Sequence, residues 1–225
     1  VGTDLESYLF SSANNSSNNL SNDPAYSDYP AFFIGGHLVV KTRRNFREAE
    51  TIKVYNVSTG VPVFASQEFQ WLGTVIPYVN GSKVLYQGFE DGWGKLFTNP
   101  VGSSVAEKMF PNATGSYVAA ISDDGSIAFI NEFTNGSESS AAMHILNTVD
   151  GSMRQVMSPA WNHWVSKISK NDEKAAIPVW DGFDNFLKIC DVPSATLQSV
   201  ANPAGKQVWD ASAISDNGCS LVVRL

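Results

Sequence analysis

The chain has 225 residues, 43% of them hydrophobic and only 16% charged, with a formal net charge of −7 and a pI near 4.9. That is enough apolar material for a core, but the acidic balance argues against a nucleic-acid partner, whose phosphates call for a basic face. No apolar run approaches the ~18 residues of a membrane-spanning helix, so no membrane span is expected, and the low charge with abundant Asn, Ser, Thr and Gly favours strands and turns over helices.

In chain order, Val1 in place of Met reads as a processed or trimmed start, and Leu5–Ser11 reads as one strand that would add to the last repeat unit. Residues 11–23 are almost entirely Ser, Asn and Ala, have little to bury, and read as a linker that is mobile or decorated. Residues 1–28 are therefore assigned as an N-terminal extension and 29–225 as the folded domain.

The folded part is repetitive. A first unit (about 29–67) carries strands at Ala31–Ile34, His37–Lys41, Thr51–Val57 and Val61–Ala65. The basic run Lys41, Arg43, Arg44 and Arg47 lies between its second and third strands, is broken by Glu48 and Glu50, and reads as a solvated hairpin tip. The second unit (71–110) runs Trp71–Val79, Lys83–Phe89, Gly94–Pro100 and Val105–Met109. The third (116–158) is clearest: Tyr117–Ser122, the turn Asp123-Asp-Gly125, Ser126–Asn131, Ala142–Leu146, then Val149-Asp-Gly-Ser152 and Met153–Met157. Asp-Gly pairs mark turns that want positive φ. The fourth (164–201) turns at Lys170–Glu173, with strands near 175–180, 186–192 and 196–200. The fifth (209–225) supplies Trp209–Ser215, Asp216-Asn-Gly218 and Cys219–Leu225 only.

An aromatic residue opens the first strand at Trp71, Tyr117, Trp164 and Trp209, at intervals of 46, 47 and 45 residues. Within each unit the apolar pattern has period 2 or forms short continuous runs, not 3.6. Four strands per 40-to-50-residue unit is the spacing of β-propeller blades. The fold class is all-β: a propeller of four-stranded antiparallel blades, four and a half of them in this chain. The expectation is that they belong to a larger ring in a longer protein, with a five-bladed ring and an incomplete last blade as the alternative.

Ile121-Ser-Asp-Asp-Gly-Ser-Ile-Ala-Phe129 resembles the first hairpin of the WD40-like, TolB-like and peptidase-type propellers, and Ile214-Ser-Asp-Asn-Gly218 is a second copy. The resemblance spans roughly 29–225 and is one of superfamily. The Trp-Asp pair of true WD40 repeats is absent, since the third strands end Asn56-Val57, Leu146-Asn147 or Cys190-Asp191. It therefore implies the looser WD40-like group rather than a regulatory WD40 protein.

Asn-x-Ser/Thr sequons stand at Asn14, Asn15, Asn19, Asn56, Asn80, Asn112 and Asn135. The last four fall in expected turns or loops, where a sugar can be accepted. On propeller geometry Asn56 and Asn80 would share one face, and Asn112 and Asn135 the other. The fourth and fifth blades carry no sequon, which leaves them open for a partner. With the acidic pI, this points to a secreted or cell-surface glycoprotein.

The strand-opening aromatics would circle one mouth of the channel, where ring faces stack on sugars or other flat ligands; the competing reading is packing between blades. Trp161 and His163 beside Trp164 make that position the richest. The candidate ligand-binding set is thus Trp71, Tyr117, Trp161, His163, Trp164 and Trp209. The loops Phe89-Glu-Asp-Gly-Trp93 and Trp180-Asp-Gly-Phe183-Asp184 offer two carboxylates each, fewer than a calcium site needs, and read as plain Asp-Gly hairpins.

His37, His144 and His163 share no zinc-site spacing, and no Gly-x-Ser-x-Gly elbow or Walker loop occurs. Asp123, Asp172 and Asp216 read as equivalent structural turn residues. Cys190 and Cys219 are too few for a disulfide framework, and one bond or two buried thiols both remain open. No catalytic residue, metal or cofactor is assigned. The expected function is an extracellular binding or scaffold module for a protein or glycan, self-assembly included. The alternative is the propeller portion of a secreted hydrolase of the prolyl-oligopeptidase kind, with its catalytic domain elsewhere.

Overall fold

The computed structural model describes residues 5–11, 15–20, 26–44, 49–134, 141–158 and 162–225, and for Ser11, Asn162 and His163 the backbone only. Among them the fold is all-β, with no helix and hence none long and apolar enough to cross a membrane. The chain divides into two compact units, 1–109 and 110–225.

The first unit contains β1 (Tyr8–Ser11), β2 (Ser16–Asn19), β3 (Tyr26–Ile34), β4 (His37–Arg44), β5 (Ala49–Asn56), β6 (Pro62–Ala65), β7 (Leu72–Tyr78), β8 (Lys83–Glu90), β9 (Trp93–Pro100) and β10 (Glu107–Lys108). β3 to β6 form one four-stranded antiparallel sheet in chain order, and β7 to β10 another. The first begins earlier than its sequence pattern, at Tyr26, and Asp28 is buried in the extra turn of strand.

Each apolar run in this unit feeds two interfaces. Val39, Ile52, Val54 and Phe64 pack with Leu72, Val84, Tyr86 and Phe97 of the next sheet. Leu38, Val40 and Tyr55 belong to a separate cluster completed by Leu20 and Leu9. A strand buried on both faces reads as a continuous hydrophobic run, as Leu38-Val39-Val40 does.

That second cluster corrects two expectations. Leu5–Ser11 does not join the last sheet; Tyr8–Ser11 pairs with Ser16–Asn19 in a two-stranded hairpin. The Ser/Asn-rich stretch is therefore not all linker. Its strand residues are polar and exposed, but Leu20 behind them is buried, and this tertiary anchor orders a segment with no periodicity of its own. A third correction concerns the basic run. Lys41 and Arg43 are not at a solvated tip but engage Glu50, which is only 5% exposed, at 3.0 and 3.5 Å. Arg47 and Glu48 lie outside the described residues.

The second unit contains β11 (Gly115–Ile121), β12 (Ile127–Phe133), β13 (Ala142–Asn147), β14 (Met153–Met157), β15 (Asn162–His163), β16 (Lys167–Ile168), β17 (Lys174–Trp180), β18 (Asn185–Asp191), β19 (Thr196–Val200), β20 (Asp210–Ile214) and β21 (Leu221–Arg224). β11 to β14 make a four-stranded sheet; β15 and β16 both pair with β17, so the first strand of the next sheet is broken in two before β18 and β19 follow. β20 and β21 form a two-stranded hairpin. The broken-strand sheet is also buried on both faces: Ala175, Ile177 and Val179 with Phe129, Met143 and Ile145, and Ala176 and Leu187 with Val208 and Ala211. Both cysteines are free; Cys190 is buried in the first of these interfaces, and burial pushes its thiol up to about 12, while Cys219 is exposed.

Three equivalent turns set the register of this unit. Ser122 and Asp124 hold theirs by Ser122 Oγ to Asp124 Oδ1 at 2.8 Å and the Ser126 amide to Asp124 Oδ1 at 2.8 Å. Ser169 with Asn171 and Ser215 with Asn217 repeat the hydroxyl contact at 2.7 and 2.8 Å. This alignment corrects one equivalence. Asp172 does not match Asp123 and Asp216 but occupies the slot of Gly125 and Gly218, and at φ 58° it adopts the left-handed backbone those glycines adopt at 76° and 69°.

Candidate functional site

Of the expected aromatic series, Trp71 and Trp209 stand just before their first strands, Tyr117 is the third residue of β11, and Trp164 lies in the break between β15 and β16. The Trp71 carbonyl accepts from the Phe89 amide at 3.0 Å, the Trp164 amide donates to the Pro178 carbonyl at 3.3 Å, and the Trp209 amide donates to the Arg224 carbonyl at 2.9 Å. Their exposures differ. Tyr117 is half-buried: its hydroxyl accepts from Asn131 Nδ2 at 2.9 Å, and its ring lies 5.5 Å from that of Phe133. Trp164 is half-buried too. Trp71 and Trp209 are 48% and 51% exposed, too much for rings that only fill a seam. The Trp71 indole lies over Gly73, where an added Cβ would meet its Cη2 at 2.8 Å, so the strand holds the ring with one face outward. Trp161 lies outside the described residues, and of His163 only the backbone pairing with Val179 is described.

The second unit adds two aromatics that sequence reading passed over. Trp180 and Phe183 flank the Asp181-Gly182 turn between β17 and β18 and are 41% and 89% exposed. Asp181 builds this turn by accepting the Phe183 and Asp184 amides, both at 2.9 Å, and these amides hold its carboxyl below the usual range. Gln207 Nε2 donates to Asp184 Oδ1 at 2.7 Å, and Asn185 Nδ2 donates to Gln207 Oε1 at 3.2 Å. The turn that carries Phe183 is thereby tied to the segment entering Trp209. Exposed rings beside Asp184 and Gln207 combine stacking faces with in-plane hydrogen-bonding groups. The signal in the sequence is an aromatic residue on each side of an Asp-Gly pair, a pattern that turn chemistry alone also explains.

Several other titratable groups are committed internally. Glu90 accepts from Lys108 at 2.6 Å, Lys95 at 3.1 Å and Gln67 at 3.1 Å, and this lysine-dominated set lowers its carboxyl to about 2. Asp124 is likewise lowered to about 2 by the Ser126 amide and the Ser122 hydroxyl. His144 Nε2 meets Glu132 Oε2 at 2.9 Å beneath the Phe110 ring, and no described hydroxyl or thiol is hydrogen-bonded to that pair. Among the described residues no cluster of His, Cys, Asp or Glu is arranged to hold a metal ion.

No protein-family model and no curated protein matches this sequence. Solved structures do. Dipeptidyl peptidase 4 from Porphyromonas gingivalis is matched at 11% identity and a TM-score of 0.56, over 88% of this chain and 29% of that one. A prolyl endopeptidase is matched at 12% identity and a TM-score of 0.52, over 92% and 34%. The chain has a β-propeller fold. TolB from Acinetobacter baumannii is matched more loosely, at 15% identity and a TM-score of 0.46, over 95% and 52%. The chain thus spans between 29% and 52% of the length of these proteins, and at such identities the likeness carries the fold alone.

On the propeller the sequons differ in access. Asn80 and Asn112 are exposed, Asn80 in a turn at φ 52°. Asn56 uses its Oδ1 to accept the Ser58 and Thr59 amides at 2.9 and 3.1 Å, which closes the third turn of the first blade. Asn15 is exposed, whereas Asn19 Nδ2 donates to Glu6 at 2.5 Å and to the Tyr8 hydroxyl at 3.3 Å. Asn14 and Asn135 lie outside the described residues.

Proposed function

We propose that this chain is a non-catalytic, ligand-binding β-propeller module of a secreted or cell-surface glycoprotein, and that its ligand is a glycan. The observation that carries the reading is the exposed aromatic group of the late blades, Trp180, Phe183 and Trp209 beside Asp184 and Gln207. Sugar rings present flat C–H faces that pack on aromatic rings, and hydroxyls that suit carboxylate and amide partners. The group lies on blades that carry no sequon, so the protein's own glycans would not cover it. Asn80 and Asn112 are the proposed glycan acceptors, on exposure. A glycan array probed with the chain made in a eukaryotic secretory host tests the assignment: binding confined to a glycan class supports it, and a blank array at high protein concentration refutes it.

The peptidase neighbours favour a second reading, the propeller portion of a secreted hydrolase. A Gly-x-Ser-x-Gly-containing domain in the same open reading frame would support it; further blades followed by a stop codon would support the binding module.

A further inference from the structure

Three Asn-Gly pairs stand in the sequence: Asn80-Gly81, Asn135-Gly136 and Asn217-Gly218. The second lies outside the described residues. In such a pair the glycine nitrogen can attack the asparagine carboxamide, because no Cβ hinders the approach, provided that both groups are free to meet. The fold treats the two described pairs oppositely. Asn217-Gly218 is locked. The Gly218 amide donates to the Ser215 carbonyl at 2.8 Å. Asn217 Oδ1 accepts from the Ser215 hydroxyl at 2.8 Å and from the Cys219 amide at 3.1 Å. Gly218 also lies against the Lys174 side chain, which confines its backbone.

Asn80-Gly81 is open. Asn80 is exposed, and among the described residues neither its carboxamide nor the Gly81 amide makes a hydrogen bond. Ser82 alone closes the turn, its amide and its hydroxyl donating to the Val79 carbonyl at 2.9 and 2.7 Å. Val79, Asn80 and Gly81 all adopt left-handed backbone, at φ 49°, 52° and 75°. A β-branched residue such as Val79 adopts that conformation only under strain. The turn therefore offers little resistance to the backbone rotation that the attack requires.

We propose that Asn80-Gly81 is a self-modifying site whose co-reactant is water. The Gly81 nitrogen forms a bond to Asn80 Cγ and gives up its proton to solvent. The Cγ–Nδ2 bond breaks, and that nitrogen takes up a proton and leaves as ammonia. Water then opens the five-membered imide at either carbonyl. Attack at Cγ gives an aspartate; attack at the main-chain carbonyl gives an isoaspartate, with the chain running through the former side chain. Nothing is oxidised or reduced: one amide and one water become one acid and one ammonia. The product carries a negative charge and lacks the nitrogen that a glycan needs, so conversion and glycosylation exclude one another at Asn80. The site stands whether or not the chain binds a glycan.

The test uses the whole chain made in a bacterial host, which leaves Asn80 bare. The protein is incubated in neutral buffer made with heavy-oxygen water, once folded and once in urea, and uptake of the label at Asn80 and Asn217 is followed by peptide mass spectrometry. In the folded chain Asn80 converts about tenfold faster than Asn217 or more, because the hydrogen bonds that hold Asn217 and Gly218 must break before the attack. In urea, where both pairs are free, the two rates converge to within about threefold, less than the loss of one such bond. The proposal is overturned if Asn80 takes up no label in the folded chain, if Asn217 keeps pace with it there, or if the tenfold difference persists in urea.

Discussion

Glu50 accepts a 2.5 Å hydrogen bond from the Leu72 amide, and so ties the first blade to the strand that opens the second. Lys41, paired with the same carboxylate at 3.0 Å, donates to the Leu72 carbonyl at 2.5 Å. Both polar groups of one backbone residue are thus met by one partly buried ion pair, which Arg43 joins at 3.5 Å. Removing Glu50 takes away the acceptor of the Leu72 amide and the counter-charge of both cations, whereas removing Lys41 leaves Glu50 with Arg43. Glu50→Ala is expected to cost about 3 kcal/mol, and Lys41→Ala less, because Lys41 is partly exposed. Urea denaturation at constant m-value measures both; equal, near-zero losses would show that the pair is incidental.

Asp172 stands where the equivalent turns carry glycine, and its carboxyl is held above the usual range by burial and then by the neighbouring Asp124. Asp172→Gly removes left-handed strain and like-charge contact together. It gives up only a 3.3 Å hydrogen bond from Ser126. The variant is expected to be more stable by about 0.5–1 kcal/mol, read as a rise in melting temperature. A fall in melting temperature would place the Ser126 bond above the strain.

Glu90 and Asp172 are expected to pull the pH dependence of stability in opposite directions. Glu90 is lowered in the fold from 4.5 to about 2, so its contribution is fully present above pH 4.5 and is lost as pH falls toward 2. Asp172 is raised, so the folded state binds the extra proton and its contribution weakens as pH rises through the folded value. Glu90→Gln should flatten the acid limb of a stability–pH curve between about pH 4.5 and 2, and Asp172→Asn should steepen the net rise above it. Unchanged limbs in both variants would refute these assignments.

If the chain is secreted and glycosylated as proposed, Asn80→Gln and Asn112→Gln should each lose the mass of one glycan, read by intact mass before and after enzymatic deglycosylation. Asn19→Gln should lose none, because the Asn19 amide is engaged by Glu6 and Tyr8. Sugar at Asn19 or bare asparagine at both Asn80 and Asn112 would count against the compartment.

The blades were readable because their determinants are local. Asp-Gly turns, aromatics at the strand starts and apolar runs of strand length each act within a few residues, and their recurrence gives the period. What escaped is tertiary. The Ser16–Asn19 strand has no apolar alternation and is ordered through Leu20 and Leu9 against Leu38, Val40 and Tyr55. Glu50 looks like any acid breaking a basic run until Leu72 is brought to it. Asp172 in a glycine slot hides the turn register that Ser169 and Asn171 reveal. Of the aromatic series legible from the period, Trp71 and Trp209 are exposed and Tyr117 and Trp164 partly packed, whereas the turn that carries Phe183 is tied through Asp184 to Gln207, a contact of 23 residues' separation that no local pattern shows.

The most direct test of the central claim is calorimetric titration of the best array glycan into wild type, Phe183→Ala and Trp209→Ala. The account predicts that each substitution, at an exposed ring with little to lose in folding, weakens binding by about tenfold or more while leaving the melting temperature unchanged. Wild-type affinity in both variants would contradict it.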